Sequence, residues 1–489
     1  MKFFSSNNSH LLPINLKSLY CSGLPLTPRS LQAAINNVMS TRNKKQYFDL
    51  PAIALNWCLT IGLMCCFVTA YAQKSLLVDT SSATYTATLS KAYTAENELF
   101  IDGLKNETDS RKLLKYYESR YTSMFKWMNK KIDSGEVYYV PEIVASVNNV
   151  LADLKAKNPS VPKDIEVLLL REGHPNAYTI GDKYILITLG LFYYIENEAQ
   201  VASVLSHEVG HIMMKHSLKA MAYDYEKNKE DAANVKLVRN AEIQKTDRAI
   251  DVLKASVYNG GKISREHELQ ADSMGYMLYR NMGYPKHAFG ETLDIVERYE
   301  DVKPDGLTKD TYKRFFNLPN QKFDDKWLNE EDFSSYNYAA YTPKFDKDSA
   351  SSHPKSKDRI QYLNIIYPEL KQPENAKPST PTATYVALQK LAQKEHLPNL
   401  YYKEQYGEFI YLILVQLQTD PGNVLYKEWL GKGFKKIYEA RKAYLSNRYV
   451  EHINPKEQSK SYTQFLSFMW ALKLEEIKKI AEHYTNERL

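Results

Sequence analysis

The run Ser206-His207-Glu208-Val209-Gly210-His211 constrains this chain more than any other stretch. Wound as a helix, it places His207 and His211 one turn apart on the same face. Two neutral imidazoles at that spacing can clamp a single zinc ion. Glu208 is rotated away from the pair but adjacent, positioned to take a proton from an attacking water. With 11 His in 489 residues, roughly 0.01 chance occurrences of such a string are expected, so the motif is specific. Two histidines leave two positions of a tetrahedral ion open, one for a third protein ligand and one for water.

The apolar residues Val201, Val204, Leu205 and Ile212 pave the other side of this helix. Upstream the pattern changes to period two. Ile165–Leu170, Ala177–Ile180 and Tyr184–Thr188 read as three strands, with Gly181-Asp182 joining the last two in a tight hairpin. This predicts a small antiparallel sheet leading directly into the metal helix. Before it, residues 75–158 are helical, with Leu113, Leu114, Tyr117 and Tyr121 at three- and four-residue spacing. A helix from Pro141 through Leu154 stops at Asn158-Pro159-Ser160.

After the motif, residues 217–259 are charged and helical, and Gly260-Gly261 interrupts them. Ser264 then caps a helix through Glu268, Asp272 and Met277 to Gly283. Residues 301–352 are rich in Tyr, Phe, Asp, Asn and Lys with little periodicity, which reads as a loose insertion or a lid. The predicted fold class is α+β, mainly α-helical: a zincin-type domain with its sheet on the metal helix, plus a helical C-terminal region.

Residues 51–70 are apolar and uncharged, preceded by Arg42, Lys44 and Lys45 and followed by Ala70-Tyr71-Ala72. That is the pattern of a secretory signal peptide cut after Ala72. A membrane anchor is the alternative, since about 20 apolar residues can cross a bilayer. Met39 makes a more ordinary start, which marks residues 1–38 as candidates for not being translated. All four cysteines (Cys21, Cys58, Cys65, Cys66) precede residue 73, so the exported remainder has no disulfides and no Cys-rich structural zinc site. The formal charge of +6 also shrinks there to 58 basic against 57 acidic side chains, leaving no electrostatic case for nucleic acid. The expected organisation is a leader over 1–72, an N-terminal helical region over 73–140 and a metallopeptidase domain over 141–372. A linker over 373–381 and a helical, tetratricopeptide-like extension over 382–489 follow. The repeat likeness rests on Trp429-Leu430-Gly431, Phe434 and Ala440 after Asp420-Pro421.

For the third ligand, a metzincin would carry Gly and His where this chain has Met214 and Ser217. His216 lies five residues past His211, about 140° around a continuous helix, and so reads as structural. Glu268 and Asp272 share one helix face at i, i+4. One carboxylate can ligate zinc while the other holds a ligand histidine by its second ring nitrogen.

Several blocks now recur in order: Asn176-Ala177-Tyr178, Gly190-Leu191, Glu198-Ala199, His207 to His211 with His216, Arg265-x-x-Glu268-x-x-Ala271-Asp272, and His353-Pro354 with Arg359-Ile360. Over residues 140–370 the chain resembles the gluzincin-type zinc metallopeptidase family that includes HtpX, the CAAX prenyl endopeptidases and BepA. The resemblance implies Glu268 as third zinc ligand and Asp272 behind it, with His267, the competing ligand, at a variable position. Gln270 stands where the family often has Glu, a departure that neither assigned role needs. The resemblance makes His353 and Arg359 candidates for the second donor that helps zinc stabilise the oxyanion at the transition state. Alternatively, His353 is a resting-state fourth ligand that makes 301–352 an inhibitory lid.

A peptide would lie extended along Asn176, Ala177 and Tyr178 through backbone hydrogen bonds. The expected activity is a Zn2+-dependent endopeptidase, one ion per chain, working in the periplasm on exported or misfolded proteins. Its expected partners are protein or peptide substrates, envelope clients at the C-terminal helices, and the membrane surface peripherally. The competing reading is a chaperone-like module in which the helical tail binds clients and proteolysis is secondary.

Overall fold

The computed structural model describes residues 83–138, 141–240, 245–301, 306–329, 354–371, 379–454 and 458–489. Helices α1 (Ala83–Gly103), α2 (Arg111–Asp133) and α3 (Pro141–Lys157) precede strands β1 (Glu166–Leu170), β2 (Ala177–Ile180) and β3 (Tyr184–Thr188). The helical spacing read over the N-terminal region and the three strands are all present, and the protein is α+β and mainly helical.

The sheet order is β1-β3-β2. β2 and β3 form the expected antiparallel hairpin, turned at Gly181 with φ +62°. β1, however, pairs with β3 in parallel, from Glu166 opposite Tyr184 to Leu170 opposite Thr188. The sheet is therefore mixed, which corrects the all-antiparallel expectation. Every residue of β3 is buried, whereas β2 is mostly half-exposed. A strand apolar on both faces gains most in the centre, so the six-residue connection from β1 carries β2 past it to the outer edge.

The two faces of the sheet feed different cores. Val167, Leu169, Ile185 and Ile187 pack towards α3 and the metal helix, α4 (Glu198–Met213). Leu168, Leu170, Tyr184 and Leu186 pack towards Tyr121, Phe125 and Met128 of α2 and Tyr93 of α1. After α4 come α5 (His216–Asn240) and α6 (Lys245–Tyr279). α6 runs unbroken through Gly260-Gly261, where the glycines predicted an interruption. Each glycine costs about 1 kcal/mol in a helix, less than the packing of the helix's second half on α4 returns.

Helices α7 (His287–Asp301), α8 (Lys309–Phe316) and α9 (Ser356–Ile366) follow. Residues 306–329 are neither a loose insertion nor a cover for the metal helix. Tyr312 and Phe316 of α8 pack on Phe468, and Phe316 also meets Phe434. They join a second core built with α11 (Tyr406–Thr419), α12 (Val424–Lys442), α13 (Lys460–Ala471) and α14 (Leu474–Thr485). Helix α10 (Ala383–Tyr402) bridges the two cores. Tyr385, Leu388 and Ala392 belong to the first and Leu400 to the second. Its start is pinned where Thr382 N donates to Glu198 Oε1 at 3.0 Å. No helix among the described residues is long and apolar enough to cross a membrane. The expected export segment 51–70, the rest of the suspected lid (330–352) and His353 lie outside the described residues.

Candidate metal centre

The metal helix is capped by Asn197, whose side chain accepts from Gln200 N. It ends at Met213, and Lys215 takes the left-handed conformation with φ 52°. α6 crosses it at very close range. A Cβ on Gly275 would lie 2.9 Å from His207 Cα. Only a residue without a side chain allows this approach, which brings the carboxylates of α6 against the histidines of α4.

His207, His211 and Glu268 converge as a group of possible metal donors. The two Nε2 atoms are 3.1 Å apart. Glu268 Oε2 lies 3.5 Å from His207 Nε2, and its Oε1 lies 3.4 Å from His211 Nε2. Tetrahedral ligands about 2.0–2.1 Å from an ion are separated by about 3.3 Å, so these donors fit zinc without rearrangement.

The groups behind them set the histidine tautomers. Asp272 is fully buried, with Oδ1 2.9 Å from His207 Nδ1 though out of line for a straight hydrogen bond. Burial opposes its charge, but Arg359 and His207 outweigh burial and hold its carboxyl below the usual range. Burial likewise opposes the His207 imidazolium. Asp272 and Glu268 overcome that and push its pKa up to about 10.

His216 is placed differently from the sequence expectation. Because the helix ends before Lys215, the angle counted along a continuous helix does not apply. His216 turns back until its Nδ1 lies 2.9 Å from His211 Nδ1, with its Nε2 3.0 Å from Gln270 Oε1. Burial lowers its pKa to about 4, so the ring is neutral. With Gln270 accepting from Nε2–H, His216 Nδ1 accepts from His211 Nδ1–H. That leaves the His211 Nε2 lone pair for a metal. Gln270, which the sequence reading gave no part, thus completes this chain. The available signals were its place two residues after Glu268 and the His-x4-His spacing, but neither reveals the contact. His267 stacks on the His216 ring with centroids 4.3 Å apart and is not among the grouped donors.

Glu208 is buried beside the donors. Burial raises its pKa, opposed by His211 and His207 and reinforced by Glu268. This makes the carboxylate a stronger proton acceptor than an exposed one. Arg359, on α9, donates from Nε and Nη2 to both Asp272 oxygens at 2.7 Å, and its Nη2 lies 3.4 Å from Glu268 Oε2. Its guanidinium therefore clamps the carboxylates while still lining the cleft.

That cleft has a volume of about 390 Å³ and also takes in Asn176, Ala177, Tyr178 and Thr179. The outer strand β2 thus runs along it. Asn176 anchors the start of the strand, donating through its N to Thr188 Oγ1 at 2.8 Å.

Residues 141–366 match the profile of Peptidase family M48. This chain carries an M48 peptidase domain. The M48 match contains every candidate donor named above and ends at the close of α9. Among curated relatives, the chain is 26% identical over 175 residues to the beta-barrel assembly-enhancing protease of Escherichia coli O157:H7, covering 34% of this chain and 36% of the relative. It is 22% identical over 152 residues to a putative beta-barrel assembly-enhancing protease of Vibrio cholerae, covering 30% and 31%. A Yersinia pestis protein of the same name is 30% identical over 88 residues, 18% of each chain. The matches thus span about a third or less of these relatives' own lengths.

Proposed function

We propose that this chain is a zinc-dependent endopeptidase that cleaves extended segments of unfolded or unassembled proteins in the cell envelope. The observation that carries the proposal is the convergence of His207, His211 and Glu268 at near-tetrahedral separations beside buried Glu208, on a cleft edged by an outer strand. A zinc ion held by the three donors would act as a Lewis acid on the scissile carbonyl. Asp272 orients His207, and His216 with Gln270 orients His211. Glu208 takes the proton of the attacking water and returns it to the departing amine. β2, the outer strand among the described residues, offers its edge to the peptide backbone, which gives affinity with little sequence discrimination. Arg359 holds Asp272 and Glu268 in place and adds positive charge to the cleft wall.

The names of the relatives and the leader-like residues 51–70 support an envelope location and envelope protein substrates. The C-terminal helices are the surface that would meet such clients. The proposal is tested with the zinc-loaded full chain and unfolded casein. Glu208→Gln should retain one zinc per chain by metal analysis yet cut about a thousandfold more slowly. Equal turnover by the variant would overturn the proposal.

A further inference from the structure

Helix α2 lies outside the M48 match, yet it reaches the edge strand. Trp127 is 43% exposed, and its ring centroid lies 6.1 Å from that of Tyr178 on β2. The platform is held from behind. Lys131 Nζ sits 4.8 Å over the Trp127 ring and is itself fixed by Glu172 at 2.7 Å and Glu136 at 3.0 Å. Lys403, just past α10, ion-pairs with the same two carboxylates. Elements from three parts of the chain therefore hold a half-exposed tryptophan at the margin of β2.

The pleat decides what this tryptophan can meet. Along β2, Ala177 packs with the core on the metal-helix side, whereas Tyr178 packs with the core on the α2 side. A peptide paired on the outer edge of β2 sends its own side chains alternately to the same two faces. Residues on one face enter the metal cleft. The residue opposite Tyr178 points to the other face, where Trp127 offers an apolar surface.

We propose that Trp127 and Tyr178 form a substrate subsite on the face of the sheet away from the metal, taking one apolar side chain of the bound peptide. This rests on the proposed peptidase reading and extends it. The preferred substrates are extended segments with an apolar residue on the face opposite the cleft-facing ones. Selection then comes partly from a helix that the peptidase domain itself does not supply.

The test uses the zinc-loaded full chain and internally quenched peptides in which a single Leu is changed to Ser at each position in turn. One position, separate from those that enter the cleft, should show about a tenfold preference for Leu, carried by KM. Trp127→Ala should collapse that Leu/Ser ratio to near one, and Trp127→Phe should preserve it. A ratio unchanged in Trp127→Ala, or a uniform loss with all peptides in both variants, would overturn the subsite. If the wild-type chain cuts no peptide, the hydrolysis reading fails separately. The subsite is then decided by fluorescence anisotropy of the same Leu and Ser peptides on Glu208→Gln with and without Trp127→Ala. A Trp127-dependent preference for Leu upholds it, and its absence overturns it.

Discussion

The crossing of α4 and α6 and the C-terminal helical core are both tightly packed, but by opposite means. At the crossing, Glu208, His216, Glu268 and Asp272 are all buried. In the C-terminal core, Tyr312, Phe316, Phe434 and Phe468 pack ring against ring. Burial of apolar surface is favourable without a partner, whereas a buried charge is tolerable only with one. The first region is thus organised by mutual neutralisation. The second is organised by shape.

Four experiments would break or sharpen that contrast. Asp272→Ala should have the largest effect, because it removes the partner of both Arg359 and His207. It should cost about 3–5 kcal/mol of stability in denaturant unfolding and weaken zinc binding as well. A fully folded variant with normal zinc affinity would contradict the neutralisation account. Phe468→Ala should cost a similar 3–5 kcal/mol or somewhat less through the cavity it leaves. Its zinc affinity, measured below the unfolding transition, should match the parent. Loss of metal there would mean that the two regions are coupled.

Gln270→Leu removes the acceptor behind His216 and should weaken zinc binding about 10–100-fold by competition with a chelator, with little change in stability. An unchanged affinity would show that the His216 tautomer is set by another group. The mildest test is pH. With its pKa raised to about 10, His207 is protonated in the metal-free protein at neutrality. Against an unfolded value of about 6.5, its charge stabilises the metal-free fold fully below that pH, and the contribution is lost as pH rises through the folded value. Since only the neutral ring ligates, zinc binding at pH 7 should release about one proton from His207, and affinity should fall about tenfold per unit of acidification between pH 8 and 7. Calorimetry in buffers of different ionisation enthalpy counts that proton. None released would mean that His207 is already neutral.

Much of the site was legible in the chain itself. His207 and His211 share a face because a helical turn is 3.6 residues, and Glu268 and Asp272 do so for the same reason. Alternation marked the strands, and Gly181 marked the hairpin. These are local rules, set by covalent spacing and backbone sterics, and they hold wherever the segment ends up. Sheet order was different. Whether β1 lies beside β2 or β3 depends on which strand can be buried on both faces by helices far away in sequence.

The same distinction separates the remaining residues. His216 was assigned by extrapolating a helix that Lys215 ends, and the left-handed conformation of a lysine has no signal in residue type. Gln270 and Arg359 acquire their contacts only where α6 meets α5 and α9. Trp127 gains its neighbour only because β2 is the outer strand and α2 packs across the sheet. The sequence by itself determined the one-turn spacing of His207 and His211, the helical and strand periods and the carboxylate pair on α6. Only the tertiary structure decided which imidazole supports which, what clamps the carboxylates and which of the described strands lies outermost. Those depend on contacts between residues tens to hundreds of positions apart, made by packing that no local period encodes.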